Sequence, residues 1–239
     1  MSISPRQSGN GSGLGVEWHN YRCAKTRAFD VKKFNTHLGI AAPLLKINID
    51  TDAIMPSREM KTVSKMGLGK SLFANWRFLD RGTDKEKLNP EFILNQEEYL
   101  SATVLLAGRN MGCGSSQEFA VWALVDYGIR AIIAPSFGAI FFTNCIRNGL
   151  LPIVLDEKTI TVLADQVASN PQGSPLNIDL EGCHVTGPDG GIYPFELPAG
   201  DRVMLLEGLD AIDVTMKLND AINAFKTTDH SKRPWAYLR

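Results

Sequence analysis

The segment with the clearest chemical potential is a glycine-rich stretch, Gly112-Cys113-Gly114-Ser115-Ser116-Gln117-Glu118. It lies between an apolar run, Ala102 to Ala107, and a pattern typical of a helix. If it joins a buried strand to a helix, the backbone N–H groups and the positive end of the helix dipole face whatever occupies the turn. The glycines let a ligand approach the backbone closely. The turn therefore predicts a site for a carboxylate or phosphate, although a plain structural turn explains the spacing equally well.

Two neighbouring features have both a chemical and a structural interpretation. A helix N-terminus can activate Cys113 by lowering its pKa, but a packed structural thiol is the favoured interpretation. The run Asn48-Ile49-Asp50-Thr51-Asp52 places two carboxylates two residues apart, which is typical of an Asx turn or of a catalytic element. Taken alone, the run favours the turn. The glycine-rich stretch also fails the dinucleotide-binding pattern, because Gln117 occupies the third glycine position.

The elements around the turn follow a β-α-β order. Short continuous apolar runs predict buried strands, and the amphipathic segments between them predict helices, so the strands should be parallel. Ser115 and Glu118 have capping-box spacing, which predicts a helix that begins at Ser115 and ends at Gly128. Further strands are predicted at Ile129–Ala134, Leu150–Leu155 and Leu176–Leu180, a turn at Pro188–Gly191 between added antiparallel strands, and helices at Ala139–Asn148, Lys158–Ser169, Asp201–Glu207 and Asp220–Lys226.

Composition excludes several classes of protein. The 239 residues carry 25 Lys and Arg against 26 Asp and Glu, so the chain lacks the basic excess that attracts nucleic acid. The longest uncharged stretch, Ala131 to Ile146, is too short and too polar to span a membrane. Four widely spaced cysteines predict a reducing compartment, the cytoplasm, and neither they nor the histidines have metal-ligand spacing, so no metal site is predicted on this chain.

The composition of the two terminal segments predicts the limits of the domain. Residues 1–28 open with a Gly/Ser-rich run and predict a disordered extension, with an organelle transit peptide as the alternative. We expect residues 29–226 to form one α/β domain and residues 227–239 to form a basic tail.

Taken together, these segments resemble the small subunits of bacterial 3-isopropylmalate dehydratases, which belong to the aconitase superfamily. The family pattern Asn-x-Asp-Thr-Asp-x-Ile-x-Pro occurs as Asn48 to Pro56, and Leu-Phe-x-x-Trp-Arg-Phe-Leu as Leu72 to Leu79. Gly-x-Gly-Ser-Ser occurs as Gly112 to Ser116, and the likeness extends from about Phe34 to Phe225. Further matching positions are Ala134-Pro135-Ser136-Phe137, Ile140-Phe141, Asn144, Asn148 and Leu150-Leu151-Pro152.

The resemblance implies the swivelling β/β/α domain of aconitase type, with a parallel β-α-β core and added antiparallel strands. It implies a hydro-lyase of leucine biosynthesis that interconverts 2-isopropylmalate and 3-isopropylmalate, with a [4Fe–4S] cluster on a separate large subunit. By the same resemblance Ser115 is the base, Asp52 orients the site, and Ser116 binds a carboxylate of a small dicarboxylate substrate beside Gly114 and Gln117. The segment from Ser57 to Gly69 matches the substrate loop in position, with a solvated surface as the alternative.

One position departs from the family pattern. Where the family has Ser-Ser-Arg-Glu-His, this chain has Ser115 to Phe119 with Gln117 in place of the arginine. A neutral amide cannot clamp a carboxylate with two charge-assisted hydrogen bonds. Three hypotheses follow: another cation replaces the arginine, the substrate is a different small dicarboxylate such as citraconate or dimethylmaleate, or the chain is a non-catalytic regulatory subunit. The candidate cations are Arg58, Arg77 and Arg109.

Overall fold

A computed structural model describes residues 31–61, 64–115 and 117–237. The predicted disordered extension, residues 1–28, lies outside the described residues, and so does Ser116. The described chain belongs to one compact unit that begins at Val31. Its strands are β1 (Thr36–Leu44), β2 (Phe78–Leu79), β3 (Lys87–Leu88), β4 (Ala102–Ala107), β5 (Ala131–Ala134), β6 (Leu151–Val154), β7 (Leu176–Asp179), β8 (His184–Thr186) and β9 (Ile192–Pro194).

Seven of these strands form one mixed sheet in the order β6-β5-β4-β1-β7-β8-β9. The half formed by β6, β5, β4 and β1 is parallel, whereas β1, β7, β8 and β9 pair antiparallel. The predicted parallel β-α-β core and the added antiparallel strands are therefore confirmed. Strand β4 has the predicted bounds, and β5 and β6 are shorter than their apolar runs. Strands β2 and β3 form a separate antiparallel pair.

Helices cover both faces of the parallel half. The predicted helices after β4, β5 and β6 are confirmed, and Gly128 ends the first of them with a φ of 113°. The α-helices are α1 (Thr51–Ile54), α2 (Ala74–Arg77), α3 (Glu118–Tyr127), α4 (Ala139–Arg147), α5 (Glu157–Ser169), α6 (Ala199–Glu207), α7 (Ala211–Met216) and α8 (Asn219–Lys232), and short 3-10 turns lie at Ser57–Glu59, Leu68–Ser71, Ile93–Asn95, Glu97–Tyr99 and Pro234–Ala236.

Two predicted helix limits differ from the structure by more than two residues. Helix α3 begins at Glu118, not at Ser115. Helix α8 continues past Lys226 to Lys232, so it crosses the predicted boundary between the domain and the basic tail. The division into domain and tail remains a prediction.

The core consists of two apolar layers, one on each face of the sheet. Leu105 and Ala107 of β4 pack in one layer, against α3 and α4. Val104 and Leu106 pack in the other, against α5 and α6. Alternate residues of a strand point to opposite faces, so a strand buried on both faces needs a continuous apolar run. This is why the run from Ala102 to Ala107 predicted β4 correctly.

Candidate active site

The loops that follow β1 and β4 lie side by side at the carboxyl ends of two neighbouring parallel strands. Backbone hydrogen bonds join them: Asn48 N donates to Arg109 O at 3.0 Å, and Gly112 N to Ile49 O at 2.7 Å. Further along, Thr51 N donates to Cys113 O at 3.0 Å. This edge is where open parallel sheets usually bind ligands.

The loop after β5 is fastened to the same edge. Met111 N donates to Ser136 O at 3.0 Å, and Gly138 N donates to Met111 O at 2.9 Å. The hydroxyl of Ser136 also accepts a hydrogen bond of 2.8 Å from Asn110 N. Three loops therefore form one hydrogen-bonded platform, and the glycine-rich turn is part of it.

The turn requires its glycines for backbone and packing reasons. Gly112 has a φ of 72°, and a Cβ added there would lie 2.0 Å from the ring of Phe141. Gly114 has a φ of 89°, which is also in the left-handed region. The turn therefore needs glycine for structural reasons, and this need is compatible with both interpretations of the turn.

Three predicted site residues meet at the end of this turn. Ser115 and Asp52 are exposed, and Gln117 is half-buried between them. The Nε2 atom of Gln117 lies 3.3 Å from Ser115 Oγ and 3.5 Å from Asp52 Oδ1, so one amide bridges both. Ser115 and Asp52 come from loops that are far apart in sequence, and in the structure both contact the Gln117 amide. Gly114 adjoins them, while Ser116 lies outside the described residues.

Asp52 is held by the first turn of α1. Asp50 caps this short helix, since its Oδ1 accepts a hydrogen bond of 2.6 Å from Ala53 N. The predicted Asx turn is thus replaced by an N-cap, because the hydrogen bond reaches the residue three positions on and not the residue two positions on. The carboxylate of Asp52 is left for other partners and accepts a hydrogen bond of 3.0 Å from Ser57 Oγ. Ser57 is the first residue of the segment predicted to be a substrate loop, so that segment begins at the candidate site.

The predicted capping box of Ser115 and Glu118 is wrong. Gln117 is the N-cap residue of α3, and its side chain makes no capping hydrogen bond. The Glu118 carboxylate instead accepts a hydrogen bond of 2.8 Å from Asn148 Nδ2. The turn continues through Ser115 before the helix begins, because Gly114 still has left-handed geometry. Ser115 lies close to the helix N-terminus without being its cap.

Asn148 is an organising residue that the sequence analysis named without giving it a role. Its Oδ1 accepts hydrogen bonds of 3.0 Å from both Lys65 Nζ and Trp122 Nε1. Its Nδ2 donates to Glu118 and, at 2.9 Å, to Asn144 O. The Lys65 ammonium also lies 4.8 Å from the centre of the Trp122 ring. Asn148 thus ties α4, the start of α3 and the segment 64–69 together.

The three candidate cations have different surroundings. Arg77 is half-buried, and its Nη1 donates to Gly69 O at 3.1 Å, so it supports the backbone. Arg58 contacts Asn75 and lies 3.7 Å from Glu59, with its side chain 56% exposed. Arg109 is exposed in the loop after β4. Arg58 and Arg109 therefore remain hypotheses for a substrate cation, and Arg77 already has a structural role.

The described cysteines do not form a cluster-binding set. Cys145 is fully buried in α4, and burial raises the pKa of its thiol well above the ordinary range. Cys113 and Cys183 are half-buried, and Cys23 lies outside the described residues. Over the described ranges, no group of three or more His, Cys, Asp and Glu side chains is arranged to hold a metal ion. In the same part of the chain, no helix is long and apolar enough to cross a membrane.

Comparisons with known proteins show which family the chain resembles. The family model of the aconitase C-terminal domain matches residues 31–158. The 3-isopropylmalate dehydratase small subunit of Cupriavidus necator is 55% identical over 208 residues, which cover 87% of this chain and 99% of that protein. The crystal structure of a 3-isopropylmalate dehydratase from Methanocaldococcus jannaschii matches with a TM-score of 0.56 and 27% identity, over 80% of this chain and 99% of the other.

The matched family region contains the strands, loops and helix that form the platform, and the relative from Cupriavidus necator is matched over nearly its whole length. The swivel-type α/β fold expected from the resemblance is confirmed. The chain therefore belongs to the aconitase C-terminal domain family and, within it, to the small subunits of 3-isopropylmalate dehydratases.

Proposed function

We propose that the chain is the small subunit of an isopropylmalate isomerase, a hydro-lyase that interconverts 2-isopropylmalate and 3-isopropylmalate in leucine biosynthesis. The observation that carries this proposal is the meeting of Ser115 and Asp52 at one exposed edge of the platform, joined by the amide of Gln117. The family membership gives this arrangement its chemistry. The enzyme would work in the cytoplasm as a heterodimer or heterotetramer with a large subunit.

In the proposed reaction, the Ser115 oxygen takes a proton from the carbon next to a substrate carboxylate. The electron pair left on that carbon forms the double bond as the hydroxyl group leaves the neighbouring carbon. Water is then added across the double bond, so that the hydroxyl group joins the carbon that lost the proton and a proton joins the carbon that lost the hydroxyl group. The [4Fe–4S] cluster of the proposed large subunit would supply the Lewis acid for this chemistry. Asp52 would orient the serine, and Gly114 and Ser116 would meet the substrate carboxylate, with Gln117 beside them.

A second candidate function is supported by Gln117 itself. The position that holds arginine in the family pattern is neutral here, so the site has one fewer positive charge to attract a dicarboxylate. This favours a related hydro-lyase that acts on a different small dicarboxylate, such as citraconate or dimethylmaleate. It is also compatible with a non-catalytic regulatory subunit that keeps the fold and not the reaction.

The test is reconstitution of the chain with its cognate large subunit. The chain alone should be folded, colourless and inactive, and the complex should convert 3-isopropylmalate to 2-isopropylmalate, as measured by chromatography. Turnover by the isolated chain, with no iron found by metal analysis, would refute the division of the site between two subunits.

The same assay separates the candidate functions. A complex that prefers citraconate or dimethylmaleate over isopropylmalate would establish the related hydro-lyase. A complex that assembles and yet turns over none of these acids would establish the regulatory subunit.

A further inference from the structure

Gln117 makes contacts that differ from those expected of a substrate clamp. Both hydrogen bonds of its Nε2 atom point to the protein's own site residues, 3.3 Å to Ser115 Oγ and 3.5 Å to Asp52 Oδ1. Its Oε1 atom is buried and has no hydrogen-bond partner among the described residues. The N–H groups of the amide are thus directed toward the proposed base and its neighbour.

The orientation of this amide follows from the charge of Asp52. A carboxylate accepts hydrogen bonds and repels a carbonyl oxygen, so the N–H side must face it. The amide keeps this orientation although it leaves a buried oxygen unpartnered, which is unfavourable. Both Nε2 contacts are long for hydrogen bonds, so they determine which side of the amide faces Asp52, and the second N–H is then directed to Ser115.

We propose that Gln117 is a positioning residue, whose amide holds Ser115 Oγ and Asp52 in a fixed relation instead of binding the substrate. This inference rests on the proposed function, because it assigns a role in that reaction. A donor held against Ser115 Oγ restricts the hydroxyl to one orientation and stabilises negative charge that develops on the oxygen. A side chain at this position that cannot donate should therefore slow the reaction without weakening substrate binding.

The chain offers a matched control at Gln166. Its Nε2 donates to Asp189 Oδ2 at 2.8 Å, and its Oε1 is likewise buried without a partner among the described residues. This Gln–Asp pair joins α5 to the turn between β8 and β9, which are not among the elements that form the platform. Variants at Gln166 repeat the local chemistry of Gln117 outside the candidate site.

The first experiment replaces each glutamine with methionine, which has similar size and no donor. Reconstituted with the large subunit, Gln117→Met should lower kcat on the order of tenfold, as expected for the loss of one or two hydrogen bonds, and leave KM within about twofold. Gln166→Met should leave both parameters at the wild-type value. Circular dichroism and size-exclusion chromatography check that each variant folds and assembles.

The second experiment uses Gln117→Glu and Gln166→Glu, which each place a carboxylate against an aspartate. Like charges raise the pKa of one member of such a pair. Below that pKa the protonated carboxyl can again donate a hydrogen bond. The activity of Gln117→Glu should therefore recover as the pH is lowered and fall as it rises, relative to wild type. Gln166→Glu should follow the wild-type pH profile. If Gln117 had a merely structural role, Gln117→Glu would follow the wild-type pH profile as well.

Several outcomes would overturn the inference while the proposed function stands. One is a Gln117→Met complex with a raised KM and unchanged kcat, since this is the result expected of a substrate clamp. Another is a Gln117→Arg complex with a lower KM and unchanged kcat. A third is unchanged activity in both the methionine and the glutamate variant. If the wild-type complex turns over none of the acids tested, the proposed function fails and the inference fails with it.

Discussion

Replacement of Ser115 by alanine tests the central step of the proposed chemistry. In the reconstituted complex, Ser115→Ala should lower turnover by about 10²–10⁴-fold, the usual contribution of a general base. The physical reason is that the methyl group of alanine cannot accept the carbon-bound proton. The assay is initial-rate conversion of 3-isopropylmalate over a range of substrate concentrations, with KM determined separately.

The stability of the same variant distinguishes a base from a helix cap. Ser115 is exposed and lies before the N-cap of α3, and its hydroxyl meets the Gln117 amide at 3.3 Å. Substitutions at such positions change the free energy of unfolding by less than about 0.5 kcal/mol. Removal of a true N-cap would cost about 1 kcal/mol. Urea unfolding of the isolated chain resolves this difference.

Asp156 provides the matched control. It is the N-cap of α5, and its Oδ1 accepts a hydrogen bond of 3.0 Å from Thr159 N. Asp156→Ala should lower the free energy of unfolding by about 1 kcal/mol and leave turnover unchanged. The assignment of Ser115 as the base is refuted if Ser115→Ala keeps near wild-type turnover in the assembled enzyme. Its position outside the helix cap is refuted if the variant loses stability as Asp156→Ala does.

Three further predictions concern the supporting structure. Gly112→Ala should destabilise the chain by about 2–4 kcal/mol in urea unfolding, because its Cβ would meet the Phe141 ring and its φ is positive. His37 has a pKa lowered by burial and by the charge of Arg130, so its contribution to the free energy of unfolding should be lost as the pH falls below about 6.5. Asn148→Asp should destabilise the start of α3, since a carboxylate would face another there, and should lower amide protection in hydrogen exchange.

Control variants or contradicting results can be stated for all three of these predictions. Gly67 has a φ of 84° and open space around its Cα, so Gly67→Ala should cost only the backbone strain, about 1 kcal/mol. Equal losses at both glycines would refute the packing argument at Gly112. His37→Gln should remove part of the pH dependence, and an unchanged slope between pH 5 and 7 would show that His37 carries none of it. Uniformly reduced protection in Asn148→Asp would indicate global destabilisation instead of a local effect.

Much of the parallel half was predictable because its signals are local. The run from Ala102 to Ala107 is buried on both faces, and Gly128 ends a helix through its own backbone geometry. The central strand β1 gave no such signal, since Gly39 and Pro43 interrupt it. Proline is tolerated there because β7 pairs only with Thr36 to Gly39 of β1, which leaves the half containing Pro43 with one neighbour.

The sequence predicts which residues belong to the candidate site, but it does not predict which side chains they contact. Ser115 and Asp52 were found because of family motifs, whereas spacing alone left a structural turn equally possible. The capping box failed because the partner of Glu118 is Asn148, 30 residues away, and no local pattern reports such a contact. The orientation of the Gln117 amide depends on Asp52, which is 65 residues away, so no local pattern reports this contact either.

The exposure of the two central residues bears on why the reaction would need a second subunit. A serine hydroxyl in open water is a poor base, because water competes for every hydrogen bond and screens nearby charges. Ser115 and Asp52 are both exposed, while the loops beneath them are fixed by short backbone hydrogen bonds. The chain thus presents exposed candidate site residues on loops that backbone hydrogen bonds join together. A partner that covers this edge would exclude water, strengthen the contacts of Gln117 and make Ser115 a better base without moving the platform.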